Sequence, residues 1–362
     1  MERRFYDELA QAGLEGAMLP DELCLHILTS AAIELLPLLD AAYQVRKKYT
    51  GKEVQLHIIN NAQNGYCPED CSYCAQAKSS DADIEAYPVK SDAEMLAEAQ
   101  AAYESGAYRY CMVFAGRGPS KKRVKHLARL IEEIKSRYPI EVCLSAGLID
   151  NEAAKTLKAA GLDRLNHNLN TSESHYPKIC TTHTYRDRLD TLHVAQTANI
   201  ELCAGIIVGM GEKQRDVIEV AKTLRELEVQ SIPVNFLIPI PGNALSETSD
   251  LSPEYCLRVL CLYRFLNPKA EIRIAAGREV HLRNMEVMAL YPANSLFVDG
   301  YLNTRGESRR RTLQMIKDAG FTIKADHALE ELLKQEDGAQ ELLAIDDSKT
   351  LLKDIKDLRP QV

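Results

Sequence analysis

From residue 54 onward the chain alternates short apolar runs with longer segments whose apolar residues recur every three or four positions. The first pattern is that of a buried strand, the second that of a helix packed by one face. VQLHIINNA (54–62) reads as the first strand. After an irregular stretch, SDAEMLAEAQAAYESG (91–106) has helical spacing, with Ser91 or Asp92 as its cap and Gly106 as its stop. Further strands are read at YRYCMVFAG (108–116), IEVCLSAG (140–147), DRLNHNLNT (163–171), ELCAGIIVGM (201–210), SIPVNFLIPI (231–240), EIRIAAG (271–277) and NSLFVDGY (294–301). The intervening helices are expected at 121–138, 150–161 (capped by Asp150, ended by Gly161), 185–198, 213–229, 252–267, up to about Ala289, and 309–320.

Eight strand–helix units predict an α/β fold, a closed (βα)8 barrel of the TIM type. An open doubly wound sheet is the competing topology. It would place a glycine-rich phosphate turn after its first strand, where this chain has cysteines instead. GMGE (209–212) comes too late for such a fingerprint and reads as a tight turn. Residues 1–50 are expected to form a helical extension that caps the barrel bottom or builds a subunit interface. The barrel is expected over 51–322. Residues 323–362 read as an acidic, helix-prone tail with no assigned chemistry.

The 362 residues carry a formal net charge of −8, which argues against a nucleic-acid partner. The opening MERRFYDELAQAGLEG lacks the apolar core of a secretory signal, and no run of about 18 apolar residues appears. No membrane association and a cytoplasmic location are therefore expected. In a reducing compartment the ten cysteines are not a disulfide framework. Cys24, Cys256 and Cys261 lie in apolar helical runs and read as core.

The loop after the first strand holds CPEDCSYC, with Cys67, Cys71 and Cys74. Three thiolates can hold three irons of a cubane and leave the fourth iron open. Structural zinc wants a closed set of four ligands, yet the next 36 residues contain neither cysteine nor histidine. An open-position cluster is favoured over zinc. Cys111, Cys143 and Cys203 each fall inside a strand. In a barrel they can converge on one interior point, together with Arg273 of the seventh strand. A buried guanidinium needs negative charge, which a thiolate-ligated cluster supplies. Tyr73 offers an aromatic wall beside Cys74. Asn166, His167, Asn168 and Asn170 make the fourth strand unusually polar, and Asn235 sits between apolar neighbours; such groups need partners or a ligand. Arg188 reads as a carboxylate binder or as a surface partner of Asp187 or Asp190. Cys180 reads as a core or loop thiol, with an extra ligand as the alternative. His175, His183, His193 and His281 show no ligand spacing and read as structural or solvated.

Taken with NGYCPEDCSYCAQ, YRYCMVFAGRGP, LNHNLNTSESHYPKICTTHTYRDRLDT, SIPVNFL and EIRIAAGREVHLR, these features make residues 50–322 resemble the biotin synthase family of the radical S-adenosylmethionine superfamily. The resemblance implies a [4Fe–4S] cluster on Cys67, Cys71 and Cys74 with S-adenosylmethionine on the open iron. It implies an auxiliary cluster, in this family usually [2Fe–2S], on Cys111, Cys143, Cys203 and Arg273. Tyr73, Asn168, Asn170 and Arg188 would surround S-adenosylmethionine. Asn168 and Asn235 would hold the ureido ring of dethiobiotin, and Asn303 and Thr304 its carboxylate end. Asn170 and Asn303 depart from residues common in relatives, an aspartate and a threonine. The implied reaction is radical sulfur insertion, with an electron donor of flavodoxin or ferredoxin type and a homodimer. Another radical enzyme with a different substrate would keep the triplet but would not need the second thiol set; a non-catalytic cluster protein would need no S-adenosylmethionine pocket and would be expected to carry four protein ligands at its cluster.

Overall fold

The computed structural model describes residues 3–247, 251–338 and 351–361. Its strands are β1 (Glu53–Gln63), β2 (Arg109–Phe114), β3 (Glu141–Ser145), β4 (Arg164–Asn166), β5 (Glu201–Cys203), β6 (Ile206–Val208), β7 (Ser231–Phe236), β8 (Glu271–Ile274), β9 (Ser295–Phe297) and β10 (Thr322–Ile323). All pairings among them are parallel, and β9 pairs back onto β1, so the sheet closes into a barrel. β5 and β6 are two halves of one barrel strand, which gives the eight staves of a TIM-type fold. β10 adds to β1 outside the closed ring.

Helices return the chain between strands, and their ends follow from the sequence. Ser91 accepts from the amide of Glu94, whose carboxylate takes the Ser91 amide, at the start of α4 (Asp92–Glu104). Ser120 caps α5 (Lys121–Arg137), Asp150 caps α6 (Asn151–Ala159), and Thr184 with Asp187 builds a capping box on α7 (Tyr185–Thr197). Glu212 takes the amides of Gly209 and Met210 in the expected tight turn before α8 (Gln214–Glu226). Ser252 caps α9 (Pro253–Leu266), which is buried over nearly its whole circumference.

The reason for that burial is the N-terminal segment. The preceding helices α1 (Arg3–Glu15), α2 (Asp21–Thr29) and α3 (Leu35–Thr50) all contact α9, and α2 also contacts α8. Arg258 of α9 reaches out of the core to the carbonyls of Ile27, Ser30 and Ile33 at 2.8–2.9 Å. A buried arginine with three carbonyls and the Glu254 carboxylate is fully committed to fastening the extension.

Three expected elements are shorter than the apolar runs suggested. The fourth strand leaves the ladder after Asn166, and Asn170 adopts a left-handed φ of 69°. The fifth strand breaks at Ala204–Gly205, because Gly205 lies against the carbonyl of Pro233; a Cβ there would stand 1.9 Å from that oxygen. The segment after β8 forms only α10 (Arg278–Leu282) and then a 3-10 stretch to Leu290. After α11 (Arg309–Asp318), the tail supplies α12 (Leu329–Gly338) and the short α13 (Ile355–Leu358). The expected tail positions 339–350 lie outside the described residues.

The last described segment docks on the barrel. Thr304 bridges to Leu352, the amide of Arg305 donates to Leu351 O (3.0 Å), and the amide of Lys353 donates to Asn303 O (2.7 Å). Arg359 pairs with Glu94 at 2.5 Å, and Leu358 is buried. No helix among the described residues is long and apolar enough to cross a membrane.

Candidate active site

Alternation along the strands sorts inward-facing residues into layers. Arg109 and Cys111 share one face of β2, Glu141 and Cys143 one face of β3, and Glu271 and Arg273 one face of β8. Cys111 stands opposite Cys143 in register, and Cys203 opposite Asn166. Cys111, Cys143 and Cys203 form a separate buried cluster with Ala275 and Phe297. All three thiols are free. A cavity opens beside Cys111 and Cys143, lined also by Ile59, Asn166, Arg273 and Tyr301.

Beneath the thiols lies a charged layer. Glu271 meets Arg109 at 3.0 Å, Arg164 at 3.1 Å, His57 at 3.0 Å and the Ser295 hydroxyl at 2.9 Å, and it also pairs with Arg273. Arg109 continues to Glu141 at 2.6 Å, and Arg164 to Glu201 at 2.8 Å. Burial alone would raise the Glu271 carboxyl; the charges of Arg109 and Arg273 override it and hold it well below the usual range. His57 is held well below the imidazole range, first by burial and then by Arg273 and Arg109.

Arg273 links this layer to the thiols. It is 1 % exposed, donates to Ser231 Oγ at 2.7 Å, and brings Nη1 within 3.7 Å of Cys203 Sγ. Its Nε is buried with no partner. Asn166 Nδ2 approaches the same sulfur at 3.3 Å. A hydrogen bond from Cys143, and then the Arg273 and Arg109 charges, hold the Cys111 thiol below its ordinary value against the effect of burial. Three free buried sulfurs and one unpaired guanidinium nitrogen form a donor set suited to a thiolate-bound iron–sulfur group. They fit an auxiliary cluster.

The second thiol set lies in the loop after β1. The loop is folded on itself: Cys67 N donates to Gln76 O (3.3 Å), Cys74 N to Cys71 O (3.0 Å) and Ala77 N to Cys74 O (3.1 Å). Cys71 is buried, while Cys67 and Cys74 are half-buried. Asp70 accepts from the amides of Thr181 (2.9 Å) and Thr182 (3.1 Å), clipping the loop to the segment before α7. Three free thiols in a backbone-fastened loop fit a cubane that leaves one iron open.

Polar groups of the fourth stave bridge the two sets. Asn166 Nδ2 donates to Asn168 Oδ1 at 3.3 Å, and Asn170 Nδ2 to the Tyr73 hydroxyl at 2.5 Å. Arg188 is buried, so the surface reading is corrected: its partners are Asn168 O (2.7 Å), the Tyr176 hydroxyl and His183 Nε2 (2.9 Å). The surface pair on α7 is Arg186 with Asp190. Asn235 is tied to backbone at both ends of its amide, giving to Ile206 O (2.9 Å) and taking from Ala276 N (3.2 Å). Asn303 and Asn64 exchange two amide hydrogen bonds at 2.7 and 3.0 Å, and Thr304 Oγ1 donates to Tyr301 O at 2.7 Å.

Four residues escaped the sequence reading. Glu69, Asp70 and Glu271 carried no expectation. His183, expected to be structural or solvated, is buried beside Cys180 and Glu69. The signal for Glu271 was available: two charges two residues apart on a four-residue strand share one inward face. By contrast His175 and His281 are buried against the carbonyls of Met210 and Leu237, and His193 is exposed.

Residues 64–224 match the Radical SAM superfamily, and residues 233–322 the Biotin and Thiamin Synthesis associated domain. The biotin synthase of Magnetococcus marinus is 57% identical over 316 residues, covering 87% of this chain and 98% of that protein. That of Acaryochloris marina is 56% identical over 310 residues, covering 86% and 90%. In fold the chain is similar to methylornithine synthase (TM-score 0.76, 18% identity, 91% of this chain and 99% of that one). It is also similar to the FeFe-hydrogenase maturase HydG from Carboxydothermus hydrogenoformans (0.75, 19%, 90% and 81%). With two thiol sets joined through one barrel interior and this identity along most of its length, the chain belongs to the biotin synthase family of radical S-adenosylmethionine enzymes.

Proposed function

We propose that this barrel converts dethiobiotin to biotin, with Cys67, Cys71 and Cys74 holding a [4Fe–4S] cluster that binds S-adenosylmethionine. Cys111, Cys143, Cys203 and Arg273 hold the auxiliary cluster, of the [2Fe–2S] type. The reading is carried by the second thiol set, three free sulfurs beside a buried arginine whose Nε has no partner. When bound, these groups supply a hydrogen-abstracting carbon radical and the sulfide that replaces the abstracted hydrogens.

The chain's own residues position and exclude. Tyr73, Asn170 and Arg188 are already cross-linked, so a nucleoside with its amino-acid tail meets fixed donors and acceptors rather than mobile side chains. Asn168 lies between that group and Asn166, within reach of both ligands. Asn235 retains one N–H and one lone pair for the ureido ring beyond its two backbone bonds. Asn303 and Thr304 flank the carboxylate end. The closed barrel keeps water from a radical that would attack it. Electrons come from a donor of flavodoxin or ferredoxin type, and the assembly is a homodimer.

The test is anaerobic reconstitution with dethiobiotin, S-adenosylmethionine and a reductant. Native protein should yield biotin and 5′-deoxyadenosine, and Cys67→Ala neither. Cys111→Ala should still release 5′-deoxyadenosine and form no biotin. Native biotin yield from Cys111→Ala removes this reading.

A further inference from the structure

The loop that carries Cys67, Cys71 and Cys74 meets solvent at one edge. Tyr66, next to Cys67, is 74 % exposed and holds a left-handed φ of 57°. Cys71 is buried, while Cys67 is half-buried. The backbone of Gly116, in the turn between β2 and α5, is in hydrogen-bonding contact with the Cys67 thiol. Gly116 has a φ of 140° and open space where a Cβ would stand. Arg117, the next residue, is exposed and fastens this turn to the cysteine loop through Glu69 at 3.4 Å. The start of α5 therefore lies beside the Cys67 edge.

That start is charged against the usual rule. A helix N-terminus carries partial positive charge, and acids in the first turn stabilise it. α4, α6, α7, α8 and α9 each have one there. α5 has none and opens with Lys121, Lys122 and Arg123. α11 also opens with arginines, but Arg309 pairs with Asp299 and Arg311 with Glu307. On α5, Lys121 pairs with Glu152 at 2.7 Å, and Arg123 donates to Gln63 at 2.7 Å. Lys122, Lys125 and Arg129 are exposed and form no ion pair among the described residues. At i, i+3 and i+7 they share one helix face over about 10 Å of axis. A solvated helix face ordinarily interleaves acids for i, i+4 pairs. This one has no acid before Glu132, in a chain whose net charge is −8.

The proposed reaction consumes electrons, and the cysteine loop is where they enter. Electron transfer weakens steeply with distance, so a carrier has to seat against the open edge of that loop. We propose that Lys122, Lys125 and Arg129, beside the Cys67 edge, form the docking face for an acidic one-electron carrier protein. This rests on the proposed role of Cys67, Cys71 and Cys74. In the transfer the carrier is oxidised by one electron and the group on the three cysteines is reduced by one; no bond forms or breaks. A row of unpaired cations steers an acidic partner before contact. Its short length suits a compact protein, because a nucleic-acid duplex or a lipid surface would run on into Glu132 and Glu133.

The test measures binding of an oxidised acidic flavodoxin to the reconstituted holoenzyme by isothermal titration calorimetry. Native affinity should fall as salt rises from about 50 to about 300 mM, since exposed charges are screened. Lys122→Glu, Lys125→Glu and Arg129→Glu together should weaken binding roughly tenfold or more, and the matching triple glutamine variant by less. Native affinity in the glutamate variant overturns the proposal. So does duplex DNA or an anionic vesicle that binds the native chain as tightly as flavodoxin and loses as much in the variant, because the face then takes any polyanion. Dithionite separates the two levels. With dithionite in place of flavodoxin, both proteins should release 5′-deoxyadenosine from S-adenosylmethionine at the same rate. No release from the native protein defeats the reading of the cysteine loop and leaves the binding result standing. A dithionite rate lost in the glutamate variant alone marks damage to the loop and overturns the docking assignment.

Discussion

Arg273 Nη1 lies 3.7 Å from Cys203 Sγ while Nη2 of the same guanidinium is held by Ser231 and Glu271. The arginine is thus pinned from below and offered to sulfur from above. Glu271 is the hub of that arrangement, since it also meets Arg109, Arg164 and His57.

Glu271→Gln should destabilise the fold by about 3–5 kcal/mol, because three buried guanidinium groups lose a shared counter-charge. Urea unfolding of the cluster-free chain measures it. A loss below ~1 kcal/mol would show that Glu141 and Glu201 carry the layer without it.

Arg188→Lys keeps the charge but loses the fork that reaches Asn168 O, the Tyr176 hydroxyl and His183 together. We expect S-adenosylmethionine affinity to fall roughly 10- to 100-fold, the range for lost supporting contacts around a metal site. Equilibrium binding of S-adenosylmethionine reads this directly; native affinity would place the ligand elsewhere.

His167 is buried, its Nε2 has no partner, and burial followed by the charge of Arg188 holds its pKa well below the imidazole range. A depressed histidine stabilises the fold fully above the unfolded value near 6.5, and that contribution is lost as pH falls toward the folded value. Stability should therefore decline below about pH 6.5, before the carboxylates titrate, by up to ~1.4 kcal/mol per pH unit for this one group. His167→Gln should flatten the slope between pH 6.5 and 5. An unchanged slope assigns the acid sensitivity to other groups.

A chain ending at Thr350 loses the partner of the Arg305 amide and the Arg359–Glu94 pair. Hydrogen exchange at Arg305 should accelerate, and stability should drop by about 1–3 kcal/mol, near 1 kcal/mol per lost hydrogen bond. Exchange as slow as in the full chain would show that the docked segment leaves this turn unrestrained.

The barrel and the strand thiols were legible because period-two alternation places Cys111, Cys143, Cys203 and Arg273 on inward faces without knowledge of any contact. Strand ends were less so. Residues 167–171 are largely buried and look like strand, yet they leave the ladder after Asn166 and rejoin it only through the bridge of Asn170 to Ile206. The Glu69–His183–Cys180–Cys71 contacts were invisible for a different reason. They join two irregular segments more than 100 residues apart, where no periodicity links position to neighbour. Arg188 was ambiguous because helical spacing fixes its direction but not what stands opposite.

The run Asn166, Asn168, Asn170 touches Cys203 at one end and Tyr73 at the other. Four residues of extended chain rise at most ~13 Å, so a single stretch of backbone acts as a ruler between the two groups proposed to generate the radical and to donate the sulfur. Inserting or deleting one residue there would turn the ruler over and change its length at once. Both ends would lose their mark together, with every cysteine of the two proposed ligand sets still intact.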